Sequence, residues 1–389
     1  MSKDYSFEQA PAVHIVNNLI NQAVQHKASD IHIEPFEQQI VVRFRINGVL
    51  QEHSVLDRIY APLICARIKI VSHMNTAEYR LPQDGKFLHT VADRQIDIRS
   101  SVFPVLHGEK IMLRLLDQSD SLKTFEHIGM QQELIKEIAD FIQRDNGFLM
   151  VTGPTGSGKT STIYSILASM NKTTSNIVTL EDPIEYTIPG IMQSAIHYDI
   201  GFTFEKGLRS LLRQDPDVIF LGEIRDADSS RVALQSSLTG HLVMSTLHTH
   251  DTISAIMRLI DMGLEPYLIA AGLTGIISQR LVGLLCACKM SIEVPTFVQQ
   301  LAQRYESKLH EIYQATGCET CNYTGIVGRT GVFEYCRITP ALKSLIHAKE
   351  KEEMLYGAAQ QGGLIPLQKS IFDRVARGHI SYRELLKHA

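Results

Sequence analysis

The sequence predicts an α/β protein whose larger part is a doubly wound, mostly parallel sheet, preceded by a smaller α+β domain. From Asn146 onward, short apolar runs alternate with helix-compatible segments, which is typical of parallel βα units. These runs cover residues 148–152, 177–181, 218–221 and 242–246. Before Asn146, a helical apolar stripe and an Asn-Gly turn between two apolar runs indicate a mixed α+β unit instead.

The predicted α+β unit covers residues 1–117. A helical stripe of apolar side chains runs through residues 12–27, and Ile40–Ile46 is a predicted strand. Asn47-Gly48 follows this strand and favours a hairpin, because both residues tolerate positive φ. A helix near 60–73 and further strands complete the unit. The predicted strands lie near 86–90, 95–103 and 109–116.

The second domain is predicted to cover residues 131–389, after a polar linker at 118–130. It includes two close cysteine pairs within about 284–328, and it ends in a helical tail. No internal repeat or low-complexity segment interrupts the chain. A length of 389 residues allows two or three domains of ~100–200 residues each.

The composition is that of a soluble globular protein, with 44% hydrophobic and 21% charged residues. It excludes disordered, collagen-like and disulfide-scaffold classes. A net charge of −4 provides no basic field, so a nucleic-acid partner is not expected. The most apolar stretch, Tyr267 to Cys288, contains Gln279 and Arg280, which disfavours a bilayer span. No signal-peptide run follows Met1, so we expect a cytoplasmic protein.

A phosphate-binding motif follows the first predicted strand of the second domain. Its glycines let backbone N–H groups surround phosphate oxygens, and the following helix N-terminus adds partial positive charge. Lys159 is expected to reach the β- and γ-phosphates of ATP, and Thr160 to ligate Mg²⁺. The predicted nucleotide-binding residues here are Gly153, Pro154, Thr155, Gly156, Ser157, Gly158, Lys159, Thr160 and Ser161. The alternative is a glycine-rich turn without a ligand.

Carboxylates follow two other strands of the predicted parallel sheet. Glu223 comes after the run 218–221, with Gly222 between them. It is the candidate for polarising the attacking water. The cluster Glu181–Glu185 follows the strand Ile177–Leu180. Because loops at the carboxyl ends of parallel strands meet at one crevice, these acids are expected near the phosphates. Solvated loop acids are the alternative.

Two histidines flank the last predicted strand of the sheet. His241 precedes the run 242–246 and His248 follows it. A sensor of the γ-phosphate belongs at the carboxyl end of a strand, which favours His248. A structural role is the alternative for either histidine.

Four of the six cysteines form two close pairs, Cys286 with Cys288 and Cys318 with Cys321. In a cytosolic protein such pairs indicate metal binding or redox chemistry. Four thiolates form a closed tetrahedral Zn²⁺ site, so we predict one structural zinc without a catalytic role. Four reduced thiols without metal are the alternative.

Taken together, these motifs resemble those of the secretion ATPase superfamily, and more narrowly the GspE/PilB-like ATPases of type II secretion and type IV pilus assembly. The resemblance extends through the first domain and toward the C-terminus. Its segments there are Ala28–Pro35, Arg80–Gly85, His107–Lys110, Arg280–Val282 and Gly328–Gly331. The combination is far more specific than the phosphate-binding loop alone.

This resemblance implies a PAS-like first domain, a RecA-like motor domain and a homo-hexameric ring. The ring would work at the cytoplasmic face of the inner membrane, held there by a platform protein. By motif position, Glu223 resembles the Walker B carboxylate and Glu185 the Asp-box carboxylate. His241 and His248 fall in the His box, which places His241 with the nucleotide-binding residues. Three arginines match those that the first domain presents to nucleotide: Arg80, Arg99 and Arg114.

The chain departs from the family pattern in two places. Larger relatives carry a further docking domain ahead of the helix near Ala12, so we expect a short family member or a shortened chain. The first cysteine pair is Cys286-Ala287-Cys288, where the family pattern is C-x-x-C.

Two other classes of function compete with a secretion or pilus motor. One is a RecA-like nucleic-acid translocase or helicase, which the acidic balance and the absence of Trp disfavour. The other is a nucleotide-dependent switch without catalysis, which the presence of Lys159, Thr160 and Glu223 disfavours. The sequence does not distinguish type II secretion from type IV pilus assembly or DNA uptake, nor whether the arginines act in cis or in trans.

Overall fold

The computed structural model describes residues 11–117, 123–170, 172–305, 309 and 311–387. The chain divides into two compact units, with the division between Ser121 and Leu122. Residues 118–122 of the predicted linker lie outside the described residues. The described remainder of that segment contains Ile128 and Met130, both buried in the core of the second unit.

The first unit is a six-stranded antiparallel sheet with two helices packed on one face. The helices are α1 (Pro11–Gln25) and α2 (Ala61–Val71). The strands are β1 (Ala28–Pro35), β2 (Gln39–Ile46), β3 (Val49–Asp57), β4 (Gln83–Val91), β5 (Arg94–Val105) and β6 (Gly108–Asp117). Their order is β3-β2-β1-β6-β5-β4, so β1 and β6 join two hairpin systems at the centre.

The core of this unit follows from alternation along the strands. Ile31 and Ile33 of β1 and Ile96 and Ile98 of β5 are buried in one apolar cluster with both helices. The predicted Asn47-Gly48 turn is present, with φ of 51° and 85° at its two residues. The apolar pattern of the sequence does not predict β1 as a strand, because only two isoleucines alternate with its polar residues.

The second unit contains a seven-stranded sheet and a small two-stranded one. Its first strands and helices are α3 (Gln132–Ile142), β7 (Gly147–Thr152), α4 (Lys159–Ser169), β8 (Ile177–Glu181), β9 (Met192–Ala195), α5 (Phe204–Leu211), β10 (Val218–Leu221), α6 (Ala227–Ser236), β11 (Leu242–Leu247), α7 (Thr252–Asp261) and α8 (Pro266–Gly272). The later ones are β12 (Leu273–Leu285), β13 (Met290–Ile292), α9 (Thr296–Arg304), β14 (Ile312–Gln314), β15 (Ile326–Arg337), α10 (Pro340–His347), α11 (Glu352–Gln361), α12 (Leu367–Ala376) and α13 (Arg383–Lys387).

The large sheet has the order β15-β12-β7-β11-β10-β8-β9, and only the β12–β15 pair is antiparallel. Every residue of β7, β10 and β11 is buried, as expected for strands covered by helices on both faces. The four predicted strands of this sheet are therefore confirmed. Their carboxyl ends all meet at one edge, which is where the phosphate-binding loop begins.

The most apolar stretch of the sequence forms most of α8 and all of β12. Strand β12 pairs with β7 through Ser278 and then continues beside β15 as a long antiparallel ribbon. The cysteine pairs lie at the far end of this ribbon. Among the helices in the described part of the chain, none combines the length and apolarity needed to cross a membrane.

Candidate nucleotide site and metal centre

The phosphate-binding loop joins the end of β7 to the start of α4. Gly153, Gly156 and Gly158 have φ of 147°, 77° and 88°, values that L side chains rarely adopt. The loop therefore takes the shape that presents successive N–H groups to an anion. Lys159, Thr160 and Ser161 form the first turn of α4, while Pro154 and Thr155 are exposed at the tip of the loop.

The amine of Lys159 lies folded back over this loop. Its Nζ donates to the carbonyl oxygens of Gly153 (2.9 Å) and Pro154 (3.2 Å), and it lies 3.5 Å from Nδ1 of His248. Burial lowers the pKa of Lys159. Ser157 Oγ is also buried here, without a hydrogen-bond partner among the described residues. A buried cation and an unsatisfied hydroxyl fit a bound polyphosphate.

Glu223 and His248 complete a line of polar groups from Lys159. Strand β11 lies between β7 and β10, so His248 after β11 stands between Lys159 and Glu223 after β10. Its Nε2 lies 3.4 Å from Glu223 Oε2. If Lys159 donates to Nδ1, then the Nε2–H of a neutral imidazole donates to Glu223. The structure thus brings together these three predicted residues.

Arg225 hydrogen-bonds the other carboxylate oxygen of Glu223. The sequence motifs did not predict this role of Arg225. Its Nε donates to Glu223 Oε1 at 2.7 Å, and its Nη2 contacts the same oxygen. Nη2 also lies 3.3 Å from Asp182 Oδ2, and Nη1 lies 3.4 Å from the Tyr198 hydroxyl. The pair with Glu223 raises the pKa of Arg225. Its position two residues after the candidate base was the available signal.

The acidic cluster after β8 divides into different roles. Glu181 is buried and accepts hydrogen bonds from Tyr164, from Thr179 (2.6 Å) and from Gln193 (3.1 Å), so it fixes the local packing. Asp182 contacts Arg225, which also contacts Glu223, so Arg225 links the two carboxylates. The backbone N–H of Glu185 lies 3.3 Å from the Tyr164 hydroxyl. A catalytic role for Glu185 stays a prediction.

His241 lies at the opposite edge of the sheet from the phosphate-binding loop. Leu242 pairs with Gly147 at the start of β7, and the carbonyl of His241 accepts from the N–H of Gly147 at 3.2 Å. The six residues of β11 place the ring ~20 Å from the loop, at ~3.3 Å per residue. Its Nδ1 contacts the Ser236 carbonyl at 3.0 Å. His241 therefore does not lie at the phosphate-binding loop of its own chain, and its nucleotide-binding role stays a prediction.

Gln279 braces the phosphate-binding loop from β12, and its role was also missed. It is buried, its Nε2 donates to the Ser157 carbonyl at 2.8 Å, and its Oε1 accepts from Thr162 at 2.7 Å. A Cβ at Gly158 would lie 2.8 Å from Gln279 Nε2, so the close contact requires glycine there. In the sequence, Gln279 is a single polar residue within an apolar run, and that pattern does not predict a contact with the loop.

The predicted arginines of the first unit occupy two different settings. Arg99 on β5 and Arg114 on β6 are direct cross-strand partners, an arrangement of like charges that destabilises a sheet. Arg114 Nε donates to the buried Asp30 at 3.0 Å. Arg80 is exposed in the loop before β4 and pairs with Glu78 at 3.3 Å. Two cations on adjacent strands suit an anionic ligand.

The four paired cysteines converge at the end of the β12–β15 ribbon. Their sulfur atoms all lie within 4.8 Å of one another. The Cys286–Cys318, Cys288–Cys321 and Cys318–Cys321 separations are 3.8, 3.9 and 3.8 Å. Tetrahedral zinc with Zn–S bonds of ~2.3 Å requires sulfur separations of ~3.8 Å. The shortened pair therefore still reaches the geometry of a zinc site.

The fold and this site define a P-loop nucleoside triphosphatase, in which a strand–loop–helix holds the phosphates and a carboxylate stands two strands away. Residues 6–387 match a family model described as "Type II/IV secretion system protein". The chain belongs to this family of secretion ATPases.

Curated relatives support this assignment, and solved structures share the fold. Type II secretion system protein E of Dickeya dadantii is 41% identical over 383 residues, which cover 98% of this chain and 76% of that protein. Type II secretion system ATPase E of Vibrio cholerae is 42% identical over 354 residues, covering 90% and 70%. The ATPase DotB of Legionella pneumophila shares the fold, with a TM-score of 0.72, 18% identity and coverage of 99% and 97%. The pilus retraction motor PilT with bound ADP does so with a TM-score of 0.65, 24% identity and 96% coverage of each chain.

Gln279→Ala is expected to weaken ATP binding about tenfold, because it leaves the Ser157 carbonyl and the Thr162 hydroxyl unpaired beneath the loop. The measurement is the Kd of a fluorescent ATP analogue with Mg²⁺. Gln303→Ala on the exposed face of α9 is the matched control. Equal affinities for the two variants would contradict a bracing role for Gln279.

Proposed function

We propose that the protein is the ATP-driven motor of a type II secretion machine, with a type IV pilus-type machine as the second candidate. It works as a homo-hexamer at the cytoplasmic face of the inner membrane, where it docks on a platform protein. The line from Lys159 through His248 to Glu223 carries the catalytic part of this proposal. The names of the relatives at 41% and 42% identity support secretion as the process.

Hydrolysis follows from what each side chain of this line can do. Lys159 exchanges its backbone carbonyl partners for phosphate oxygens, and Thr160 in the first turn of α4 holds Mg²⁺, which offsets phosphate charge. Glu223 accepts the proton of the attacking water as general base. His248 lies between the two and senses the γ-phosphate.

The neighbours of Glu223 place a condition on this chemistry. Its Oε1 accepts from Arg225 and its Oε2 faces His248, so an attacking water has to share an oxygen of Glu223 with one of these groups. Hydrogen bonds to a carboxylate lower its basicity, so loosening of one contact would make Glu223 a stronger base. Arg225 also contacts Asp182, which gives the guanidinium a second carboxylate to hold when it releases Glu223. Arg225 is thus a positioning residue.

Lys159→Ala and Glu223→Gln are expected to abolish Mg²⁺-dependent ATPase activity for different reasons. Removing the amine weakens nucleotide binding, whereas an amide in place of the Glu223 carboxylate leaves binding intact but cannot accept a proton. Loss of an oriented base costs ~10²–10⁴-fold in rate. Phosphate release and nucleotide affinity, measured on both variants, separate the two effects. Wild-type turnover by Glu223→Gln would transfer the role of base to Glu185.

Arg225→Ala is expected to lower kcat ~10–100-fold while KM for ATP changes less than about threefold, because Glu223 loses the cation that orients it beside Asp182. Arg225→Lys keeps the charge and restores most of the loss. Arg231→Ala is a matched control, since Arg231 pairs with Asp228 and Glu265 instead. An unchanged kcat in Arg225→Ala would refute the positioning role.

The arginines of the first unit are proposed to complete the site of a neighbouring subunit. The β5 and β6 strands hold Arg99 and Arg114 rigidly side by side. An Arg fork suits γ-phosphate oxygens, and such arginines contribute ~10³–10⁵ in rate in other NTPases. In a ring, closure of one subunit's first domain on nucleotide held by the next would link hydrolysis to movement. Arg80 is proposed to join them at the phosphates.

Mixing two inactive chains tests this trans arrangement. One chain carries Arg99→Ala and Arg114→Ala, and the other carries Lys159→Ala. Mixed oligomers should regain part of the ATPase activity, because some interfaces pair an intact loop with intact arginines. Subunit exchange is verified by fluorescence energy transfer between labelled chains. Inactive mixtures despite exchange would exclude trans action, and full activity of the double-arginine chain alone would exclude any role at the phosphates.

Zinc is proposed as the occupant of the four-cysteine cluster, in a structural role. Four thiolates leave no open position for water or substrate, so the metal fixes the end of the β12–β15 ribbon. The N–H groups of Cys318 and Gly325 donate to Cys321 Sγ at 3.1 and 3.2 Å, which stabilises thiolate charge. The backbone thus supports ligation on the second pair.

Metal analysis of purified protein is expected to give one zinc per chain. The double variant Cys318→Ser/Cys321→Ser should lose it and should unfold at a lower temperature, because the ribbon end loses its cross-link. Cys65→Ser is the control, since Cys65 contacts Glu109 in the first unit instead. Wild-type protein with well below one zinc per chain would reject the metal site.

A further inference from the structure

A cavity of about 690 Å³ opens at the edge of the first unit's sheet. It lies where edge strand β4 meets the middle of α1 and the C-terminal end of α2. Its walls include Val16, Val71 and Phe87, which give it an apolar interior, while Leu88 is exposed. Sites for small organic molecules have volumes of ~300–1,000 Å³ and combine apolar walls with a few polar groups. Its size and apolar walls therefore match such a site.

Arg67 of α2 supplies an unsatisfied cation in this cavity. Its Nε is buried and has no hydrogen-bond partner among the described residues of the protein. A buried N–H without an acceptor costs free energy that a ligand oxygen would recover. Arg67 therefore needs an acceptor, and a carboxylate or phosphate forms the strongest hydrogen bonds with a guanidinium.

The other polar groups of the lining agree with an anionic ligand. Lys86 stands exposed at the rim, and Asp97 is the one acid among the lining residues that the structure describes. His89 Nε2 lies 3.2 Å from Asn21 Oδ1, and burial together with the charge of Arg67 lowers the pKa of His89. The lowered pKa disfavours a charged imidazole beside Arg67, so the buried Nε of Arg67 belongs to the main positive charge inside the cavity.

We infer that this cavity binds a small organic anion, with its carboxylate or phosphate on Arg67 and an apolar or aromatic body against Phe87 and Val71. The site is distinct from the phosphate-binding loop of the second unit, and it does not depend on the function proposed above. A ligand here would contact α1, α2 and β4 at once, which couples its occupancy to the packing of the first unit.

Two fluorescent probes of similar shape test the inference on the full chain. Anilinonaphthalene sulfonate is an anion with an aromatic body, and N-phenylnaphthylamine is its neutral counterpart. Titrations are run with saturating Mg–ADP, so that the nucleotide site is occupied. Arg67→Gln should weaken the sulfonate at least tenfold and the amine less than twofold. Val71→Phe, which narrows the cavity, should weaken both probes.

Controls keep the outcomes distinct. Arg144→Gln carries the same substitution at an exposed position of the second unit and should change neither affinity. Arg67→Lys, which keeps the charge, should retain sulfonate binding within about threefold. Unchanged ATPase activity shows that each variant is folded. Equal sulfonate affinity in the Arg67→Gln and Arg144→Gln chains, or a complex structure with the probe outside the cavity, would overturn the site.

Discussion

Burial of the Lys159 amine among backbone carbonyl groups is the interaction on which the rest of the second unit depends. A buried ammonium needs acceptors, and the carbonyls of Gly153 and Pro154 provide them before any phosphate is bound. The loop can hold this shape because its glycines adopt positive φ and because Gln279 supports it from β12. The nucleotide site is therefore organised in advance, and binding exchanges one set of oxygens for another.

Charge alternates along the site that extends from this amine. Lys159, Glu223, Arg225 and Asp182 follow one another, with the His248 ring between the first two. Each group is stabilised by a neighbour of opposite sign, so movement of one changes the surroundings of the next. Strand order decides this sequence of contacts, because β11 brings His248 between the loop after β7 and the carboxylate after β10. Such a chain suits an enzyme in which nucleotide state controls movement.

The ribbon of β12 and β15 joins the nucleotide site to the cysteine cluster. Gln279 contacts the loop near the middle of β12, and Cys286 follows the end of the same strand. Metal at the far end would restrain the ribbon there, and the same strand β12 carries the residue that supports the phosphate-binding loop.

The sequence by itself determined the parallel sheet, the phosphate-binding loop, the Asn47-Gly48 hairpin and the pairing of cysteines, because each depends on local pattern or short spacing. It also placed His248 and Glu223, since strand ends of a parallel sheet share one edge. Tertiary structure alone decided the rest. Strand β1, the brace at Gln279 and the contact of Arg225 with Asp182 depend on residues distant in sequence. The sequence puts His241 before β11, at the opposite end from His248, and only the family resemblance groups it with the nucleotide-binding residues. Local pattern fixes which groups are available, whereas strand order and register fix which of them meet.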